Sequence, residues 1–253
     1  MELIILGSGT GVPSVRRASP AYLLRLPGRC LLLDCGPGAL RQLAAAGVTI
    51  DRLDYILLSH LHPDHTVDLP AYLFALKYAG LPPRATPCRL VGRTGLAEFI
   101  RRLRAAWGRW IEPEPGQVEV VEAEPGGVQL PSGEPFSLHC AEPEHTPQSL
   151  AWRIEAGGCG LVYSGDTGYS ERLVALARSA DLFLCECSFP EAQAAPGHST
   201  PRLAGRMARE AGVRRLVLTH LYPPADEADV AAEAAAEFAA DIVVAEDGLR
   251  LAL

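Results

Sequence analysis

A mixed α/β fold in one domain is the architecture this chain predicts, and three observations predict it. Short apolar runs ended by Gly, Pro or Asp recur from the first residues onward and read as strands. In the first half several are joined by hairpin-type turns, whereas strand-like and helix-like stretches alternate later. No repeat period and no long linker divides the 253 residues, so residues 1–253 are expected to form a single domain.

Residues 2–6 open as a strand running into Gly7-Ser8-Gly9-Thr10-Gly11. That loop falls short of the dinucleotide-binding G-x-G-x-x-G pattern. Val12 stands where the last glycine is needed, and Pro13 and Pro20 bracket a loop where a helix should follow. Residues 22–26 and 30–33 read as strands joined by Pro27-Gly28, and Asp34-Cys35-Gly36-Pro37-Gly38 then starts a helix through Ala46. A strand at 54–58 and a helix at 67–79 flank a histidine-rich stretch. A strand at 88–91 precedes a helix at 95–107, where Leu96, Phe99, Ile100, Leu103 and Trp107 keep helical spacing. Within the Pro-, Gly- and Glu-rich residues 111–135, short strands are expected at 117–121 and 128–130. A strand at 136–140 leads to Glu144-His145-Thr146, and 151–155 with 161–163 flank Gly157-Gly158 as a hairpin. Strands at 181–185, 216–219, 242–245 and 249–251, with helices near 201–211 and 229–238, complete the chain.

Composition narrows the function classes. No window approaches the 18 or so uninterrupted apolar residues of a membrane span. The N-terminus lacks a basic n-region and reads as a strand, so no secretion signal is expected. A formal charge of −7 argues against broad nonspecific attraction to nucleic acid. Seven cysteines, odd in number and scattered through apolar runs, suit reduced buried thiols in the cytoplasm better than a disulfide framework. Cys185 and Cys187 lack the two-residue spacer of zinc or redox pairs and should share one strand face in the core. Lys77 is the only lysine among 23 basic residues, which looks like coding bias.

Ser59-His60-Leu61-His62-Pro63-Asp64-His65 carries the chemistry. Imidazole nitrogens and a carboxylate are the ligands a zinc-like divalent ion accepts, and a strand end lets several side chains enter one pocket. The bland alternative is a polar turn of solvated histidines. Other strand ends argue against it, because His145, Asp166 and His220 each stand where an apolar run emerges. Gly165 before Asp166 permits close backbone approach. Counting His198, six of the seven histidines occupy such positions, with His139 left for a strand face.

In order and spacing, Ser59 to His65, then His145, Ser164-Gly165-Asp166-Thr167 and Thr219-His220 resemble the metallo-β-lactamase-fold hydrolases. More narrowly, the chain resembles their ribonuclease Z-like branch, from Gly7-Ser8-Gly9-Thr10-Gly11 through Asp34-Cys35-Gly36 to His220. The resemblance implies a four-layer αβ/βα sandwich, two mixed sheets flanked by helices, with the site on the edge between the sheets. It implies one metal ion on His60, His62, His145 and a bridging Asp166, and a second on Asp64, His65, His220 and the same Asp166. Two ions about 3.5–4 Å apart can share a carboxylate and a water that becomes hydroxide near neutral pH. Asp34, in the family's Asp-x-Gly position, is implied to orient a ligand histidine; its structural alternative is a helix N-cap before Gly38-Ala39-Leu40.

Leu184-Cys185-Glu186-Cys187-Ser188-Phe189 and Gly197-His198-Ser199-Thr200 resemble the same branch's Glu and His-Ser-Thr motifs, where the glutamate pairs with a histidine over the substrate phosphate. An imidazolium there can protonate the departing oxygen while the carboxylate fixes its tautomer. The structural alternative is an N-cap at Ser199 or Thr200 before Pro201. Lactamases of this fold carry cysteine where Asp166 stands, and flavodiiron proteins carry glutamate where His62 stands; neither pattern fits, so antibiotic hydrolysis and iron redox chemistry drop to minor alternatives. Ribonuclease Z enzymes carry a tRNA-gripping arm between the equivalents of His145 and Asp166; twenty residues here leave room for a hairpin. Residues 12–18 also depart from that branch's Arg-Asn loop. Seven arginines against one acid, Glu98, in residues 84–109 offer a compensating phosphate surface, or simply a solvated helix face neutralised by Glu112, Glu114, Glu119, Glu122 and Glu124.

Residues and resemblance together predict a cytoplasmic dinuclear zinc hydrolase, with manganese or iron as alternative metals. The expected reaction is hydrolysis of a small or nucleotide-like phosphodiester by a metal-bound hydroxide, with Asp64 positioning water, His198 as general acid and Glu186 as its partner. Processing of tRNA 3′ ends, with structured RNA as partner, is the less favoured alternative. Lactone or carboxyl-ester hydrolysis and a non-catalytic metal-binding role also stay open. A homodimer is implied by the resemblance alone, and no membrane partner is expected.

Overall fold

The computed structural model describes residues 1–80 and 85–253. The first half runs β1 (Glu2–Gly7), β2 (Ala21–Leu26), β3 (Arg29–Leu33), α1 (Ala39–Ala45), β4 (Tyr55–Leu57), α2 (Pro63–Thr66) and α3 (Asp68–Tyr78). It continues with β5 (Cys88–Arg93), α4 (Leu96–Trp107), β6 (Val118–Ala123), β7 (Gly126–Gly127), β8 (Phe136–Ala141), β9 (Ala151–Ala156) and β10 (Cys159–Tyr163). The remainder comprises α5 (Glu171–Ala177), β11 (Leu182–Glu186), α6 (Pro201–Ala211), β12 (Arg215–Thr219), α7 (Pro223–Asp226), α8 (Val230–Ala235), β13 (Asp241–Val244) and β14 (Arg250–Ala252).

Among the described residues these strands form two seven-stranded sheets, ordered β14-β1-β2-β3-β4-β5-β6 and β13-β12-β11-β10-β9-β8-β7. Each sheet is mixed. β1, β2, β3 and β14 pair antiparallel while β3 to β6 run parallel; β7 to β10 pair antiparallel while β10 to β13 run parallel. Alternation along the strands explains the layering. Leu3 and Ile5 face a core shared with Trp152, Leu161 and Leu182 of the other sheet, whereas Ile4 and Leu6 face the helix side with Leu43, Leu73 and Ile100. The opposite outer face packs Val162, Phe183 and Leu218 against Leu173, Met207 and Ala234. Helix, sheet, sheet and helix make the four-layer sandwich that the resemblance implied.

Helix boundaries follow local chemistry. The Thr200 hydroxyl accepts from Leu203 N–H, Pro201 occupies the first turn, and Gly212 closes α6 in the left-handed region. Several expectations need correction. Asp34 caps no helix; Gly38 precedes α1, and the Asp34 carboxylate is turned inward. The helix expected at 67–79 is α3, and a single turn that was not expected, α2, precedes it at Pro63–Thr66. No strand forms at 128–130: Val128 N–H reaches Leu138 O at 2.8 Å, but the ladder belongs to Gly126 and Gly127, and Pro131 has no N–H to extend it. Trp107, placed on the apolar face of α4 by its spacing, is 56% exposed. The two-turn α5, capped by Ser170, and the single-turn α7 carry no clear periodic signal in the sequence. All seven cysteines are free thiols, as the composition predicted, and Cys185 and Cys187 share one core cluster.

The parallel halves of the two sheets position the chemistry-bearing residues. They bring the ends of β3 and β4, and those of β10, β11 and β12, to common edges of their sheets. The two edges are tied together: Leu150 N–H donates to Ser59 O at 2.7 Å, and Trp152 Nε1–H to Leu58 O at 3.3 Å.

Candidate metal centre

Six strand or helix ends deliver side chains to this edge. His60, His62, Asp64 and His65 follow β4 and enter α2, His145 follows β8, and Asp166 follows β10. His198 precedes α6 and His220 follows β12. Asp34 and His220 both hold φ near +57°, at 56° and 58°, a left-handed conformation unfavourable for residues with a Cβ. Gly165 carries φ +59°, and a Cβ there would fall 2.7 Å from that of Ser59, so only glycine admits Asp166 this close to the histidine loop.

Among the described residues three overlapping groups of ligand-type atoms result: His60, His62, His145 and Asp166; Asp64, His65 and His220; and Asp166, His198 and His220. The Asp166 carboxylate lies between the first two. Its Oδ2 is 3.8 Å from His60 Nε2 and 3.9 Å from His145 Nε2, while its Oδ1 is 3.2 Å from His65 Nε2 and 3.4 Å from His220 Nε2. Asp64 Oδ2 stands 3.7 Å from His65 Nε2 and 3.6 Å from His220 Nε2.

The outer hydrogen bonds set which imidazole nitrogen faces inward. Ser59 Oγ–H donates to Asp34 Oδ2 at 2.7 Å, so the same oxygen accepts from His60 Nδ1–H at 3.0 Å. His65 Nδ1–H donates to Asp34 Oδ2 at 2.7 Å, and His145 Nδ1–H to Gly197 O at 3.0 Å. Ser188 Oγ–H is given to Glu186, which leaves that oxygen to accept from His220 Nδ1–H at 3.0 Å. In each ring the Nε2 lone pair is thereby turned toward the centre. Three of these atoms, on His60, His65 and His220, are buried without a hydrogen-bond partner, and so is Asp166 Oδ1. Buried acceptors converging without donors are costly, and divalent cations are the ligands that satisfy them. The donor set therefore fits divalent metal.

Electrostatics agree. Burial, then the neighbouring charge of His65, lowers the His60 pKa to about 2. Burial pulls His65 down too, but the carboxylates of Asp166 and Asp34 outweigh it and hold its imidazole well above the usual range. Burial alone would raise Asp64, but the neighbouring imidazoles of His220 and His65 outweigh it and bring the carboxyl down to about 2. Opposing burial in the same way, His220 and His65 keep Asp166 well below the ordinary carboxylate range.

Beside the two groups lies a second pair. His198 Nδ1–H donates to Glu186 Oε2 at 3.2 Å; Glu186 is fully buried and also accepts from Thr167 N–H and Ser188 Oγ–H. Burial lowers the His198 pKa, but the bond to Glu186 and its charge raise it beyond that loss, so the net shift is upward. The His198 ring, 20% exposed, sits 5.1 Å from His145 and is stacked 6.1 Å from His220.

Every site residue expected from sequence is therefore present at this edge. Asp34 accepts from Ser59 N–H, Ser59 Oγ–H, His65 Nδ1–H and, at 2.5 Å, Tyr163 O–H. The parts played by Tyr163 and Ser188 escape a reading of the sequence; Ser188 lies inside the motif at 184–189, whereas Tyr163 carries no signal beyond ending a strand. The N-cap alternative at Thr200 coexists with His198, while Ser199 Oγ–H donates to Thr167 O. Four arginines of the arginine-rich segment are paired, two of them by Glu119 and Glu124 among the glutamates expected to neutralise it. Arg89 pairs with Glu119, Arg93 with Glu124, and Arg101 and Arg102 with Glu98. Arg84 lies outside the described residues. Between His145 and Asp166 the structure holds the β9–β10 hairpin and no arm. Among the described residues no helix is long and apolar enough to cross a membrane.

Comparison with known proteins gives the same picture. Residues 29–221 match the model of the β-lactamase superfamily domain. The ribonuclease Z of Mycobacterium sp. (strain KMS) is 33% identical over 98% of this chain and 94% of its own length. The metallo-β-lactamase fold protein YhfI of Bacillus subtilis is 26% identical with a TM-score of 0.85, covering 99% of this chain and 98% of that one. The short form of human tRNase Z, ELAC1, is also 26% identical, with a TM-score of 0.79 and coverage of 100% and 99%.

Proposed function

This chain belongs to the β-lactamase superfamily, within its ribonuclease Z-like branch, and on that premise we propose a two-metal phosphodiesterase acting on small or nucleotide-like diesters. Membership makes the chain a metal-dependent hydrolase; the metal count, residue roles and substrate are the proposal. In it His60, His62, His145 and Asp166 hold one ion, and Asp64, His65, His220 and the same Asp166 hold the other. Zinc is the preferred metal for so nitrogen-rich a set, with manganese or iron as alternatives. When bound, the ions supply Lewis acidity toward a phosphoryl oxygen and an acidified water as nucleophile.

The chain's own residues complete the reaction. Asp64, kept ionised, accepts a hydrogen bond from the attacking water and directs it. Asp34 holds His65 with its Nε2 inward. As the P–O bond to the leaving group breaks, the departing oxygen takes the proton of His198 Nε2, while Glu186 holds the Nδ1–H. The observation that carries the phosphodiester reading is this His198–Glu186 pair, 3.2 Å apart beside both ligand groups. A cationic imidazole also suits an anionic substrate, and the bond to Glu186 shifts the His198 pKa upward against the effect of burial.

His198→Ala is expected to lower diester turnover by about 10²–10⁴ and leave metal content unchanged. The acid must be protonated, so wild-type turnover should hold below the raised His198 pKa and fall as pH rises through it. That alkaline limb should vanish in the variant. Unchanged turnover, or an alkaline limb that persists, would remove the acid role.

A second reading, endonucleolytic processing of precursor tRNA, is supported by relatives of 33% identity that carry the name ribonuclease Z along nearly the whole chain. Against it stands the short β9–β10 connection. Parallel assays on an activated phosphodiester, a precursor tRNA, a lactone and a β-lactam separate the readings. Diester cleavage with intact tRNA supports the first, specific cleavage at the tRNA 3′ side the second, and preference for the lactone or lactam defeats both. A cytoplasmic setting and a homodimer are part of this proposal. The exposed Phe74, Tyr78, Trp107 and Trp110 supply apolar surface for self-association, and a monomer in sedimentation would remove the dimer alone.

A further inference from the structure

Two aromatic rings border the site without a part in the chemistry above. Phe189 and Tyr222 stack with centroids 4.5 Å apart and 18° between their planes. Main-chain bonds bring them together where the chain leaves β11 and β12: Cys187 N–H donates to Thr219 O at 2.7 Å, and Tyr222 N–H to Ser188 O at 3.1 Å. Neither ring is core, since both residues are only partly buried. The Tyr222 ring lies 5.8 Å from His220 and 6.4 Å from His198, steeply inclined to both, and Phe189 lies 6.3 Å from His198. The pair therefore forms a wall beside the proposed acid and one proposed ligand.

The reacting edge is close to this wall: Asp64 Oδ2 stands 3.6 Å from Nε2 of His220, the histidine against the Tyr222 ring. The Tyr222 hydroxyl makes no hydrogen bond to the described residues, so it is free to donate to a ligand. A rigid, half-exposed aromatic pair with a free hydroxyl suits a flat π-system carrying polar edges.

We propose that Phe189 and Tyr222 form a stacking wall for the nucleobase, or an equivalent aryl group, of the diester, and so set the preference for nucleotide-like over aliphatic substrates. This rests on the phosphodiesterase reading and adds the substrate class. Tyr222 acts in it as a specificity residue that touches the part of the substrate away from the scissile bond.

The test compares two diesters with the same leaving group, thymidine 5′-(4-nitrophenyl phosphate) and methyl 4-nitrophenyl phosphate. Wild-type enzyme is expected to favour the nucleoside ester by about tenfold or more in kcat/KM, mainly through KM. Tyr222→Leu should reduce that ratio about tenfold, whereas Tyr222→Phe, which keeps the ring, should retain most of it. Calorimetric titration with thymidine 5′-monophosphate and with methyl phosphate should show the same loss of discrimination in Tyr222→Leu. Equal losses on both esters, or a ratio untouched in Tyr222→Leu and Phe189→Leu alike, would overturn the wall. If wild-type enzyme cleaves neither ester, the phosphodiesterase reading fails. The titrations then still decide the wall, which falls if thymidine 5′-monophosphate binds Tyr222→Leu as it binds the wild type.

Discussion

Asp166→Ala will lower diester turnover by about 10³ or more, roughly 4 kcal/mol of barrier at 1.36 kcal/mol per decade, and will reduce metal content from close to two ions per chain. The expectation comes from where the two carboxylate oxygens point. Oδ2 faces His60 and His145 at 3.8 and 3.9 Å, and Oδ1 faces His65 and His220 at 3.2 and 3.4 Å. One side chain thus serves both sets, and removing it weakens both together. His65 also loses the largest of the charges that hold its proton. The fold should survive, because Asp166 lies in the turn after β10 and its neighbours are held without its carboxylate, Ser164 N–H donating to Leu184 O and Thr167 N–H to Glu186. Melting in chelator should accordingly resemble that of wild type, while the rise in Tm on adding zinc shrinks with affinity. Wild-type protein carrying a single tightly held ion after chelator-free purification would defeat the two-ion scheme. A variant that keeps two ions and near wild-type turnover would take the bridging place from Asp166.

How far such a centre can be read from sequence depends on whether its residues announce themselves locally. His60, His62, Asp64 and His65 do, being crowded into six positions. His145, Asp166 and His220 announce themselves only as polar residues at the ends of apolar runs; Asp166 and His220 converge because β10, β11 and β12 run parallel, and His145 joins them because β8, two antiparallel pairings from β10, runs the same way. That pairing is a long-range fact that no local pattern encodes; only family resemblance implies it. Ser59 and Ser188 could not have been assigned their roles at all, since each passes one hydroxyl proton to a carboxylate and takes a hydrogen bond from an imidazole. Such relays depend on tenths of an ångström. Strand and helix positions were legible where the apolar period was long, as in α4 and α6. They failed where pairing overrode propensity: the expected strand at 128–130 lost its ladder to two glycines. Trp107 shows the converse, a residue with the right spacing for the core that the end of α4 carries into solvent.

Asp34 provides the sharpest test of the outer hydrogen bonds, because alanine and asparagine should fail in different ways. Asp34 is fully buried and accepts four hydrogen bonds, one on Oδ1 and three on Oδ2. Alanine leaves Ser59 N–H, Ser59 Oγ–H, Tyr163 O–H and His65 Nδ1–H without their acceptor. That should cost about 3–5 kcal/mol of stability, as breaking a buried charged network does, and Tm should fall even in chelator. Asparagine keeps the shape and one oxygen. If its amide nitrogen replaces Oδ2, its two N–H bonds cannot serve all of Ser59 Oγ, Tyr163 O–H and His65 Nδ1, and His65 Nδ1 must give up its proton to accept one. The ring then carries hydrogen on Nε2, where a lone pair is required. With the amide turned over, Ser59 N–H is left facing a donor instead, and the histidine loop shifts. Asp34→Asn should therefore melt closer to wild type than Asp34→Ala in chelator, yet lose metal affinity at the Asp64, His65 and His220 group by about 10–100-fold. Wild-type metal affinity in Asp34→Asn would show that the carboxylate does not set the His65 tautomer, whatever it contributes to stability.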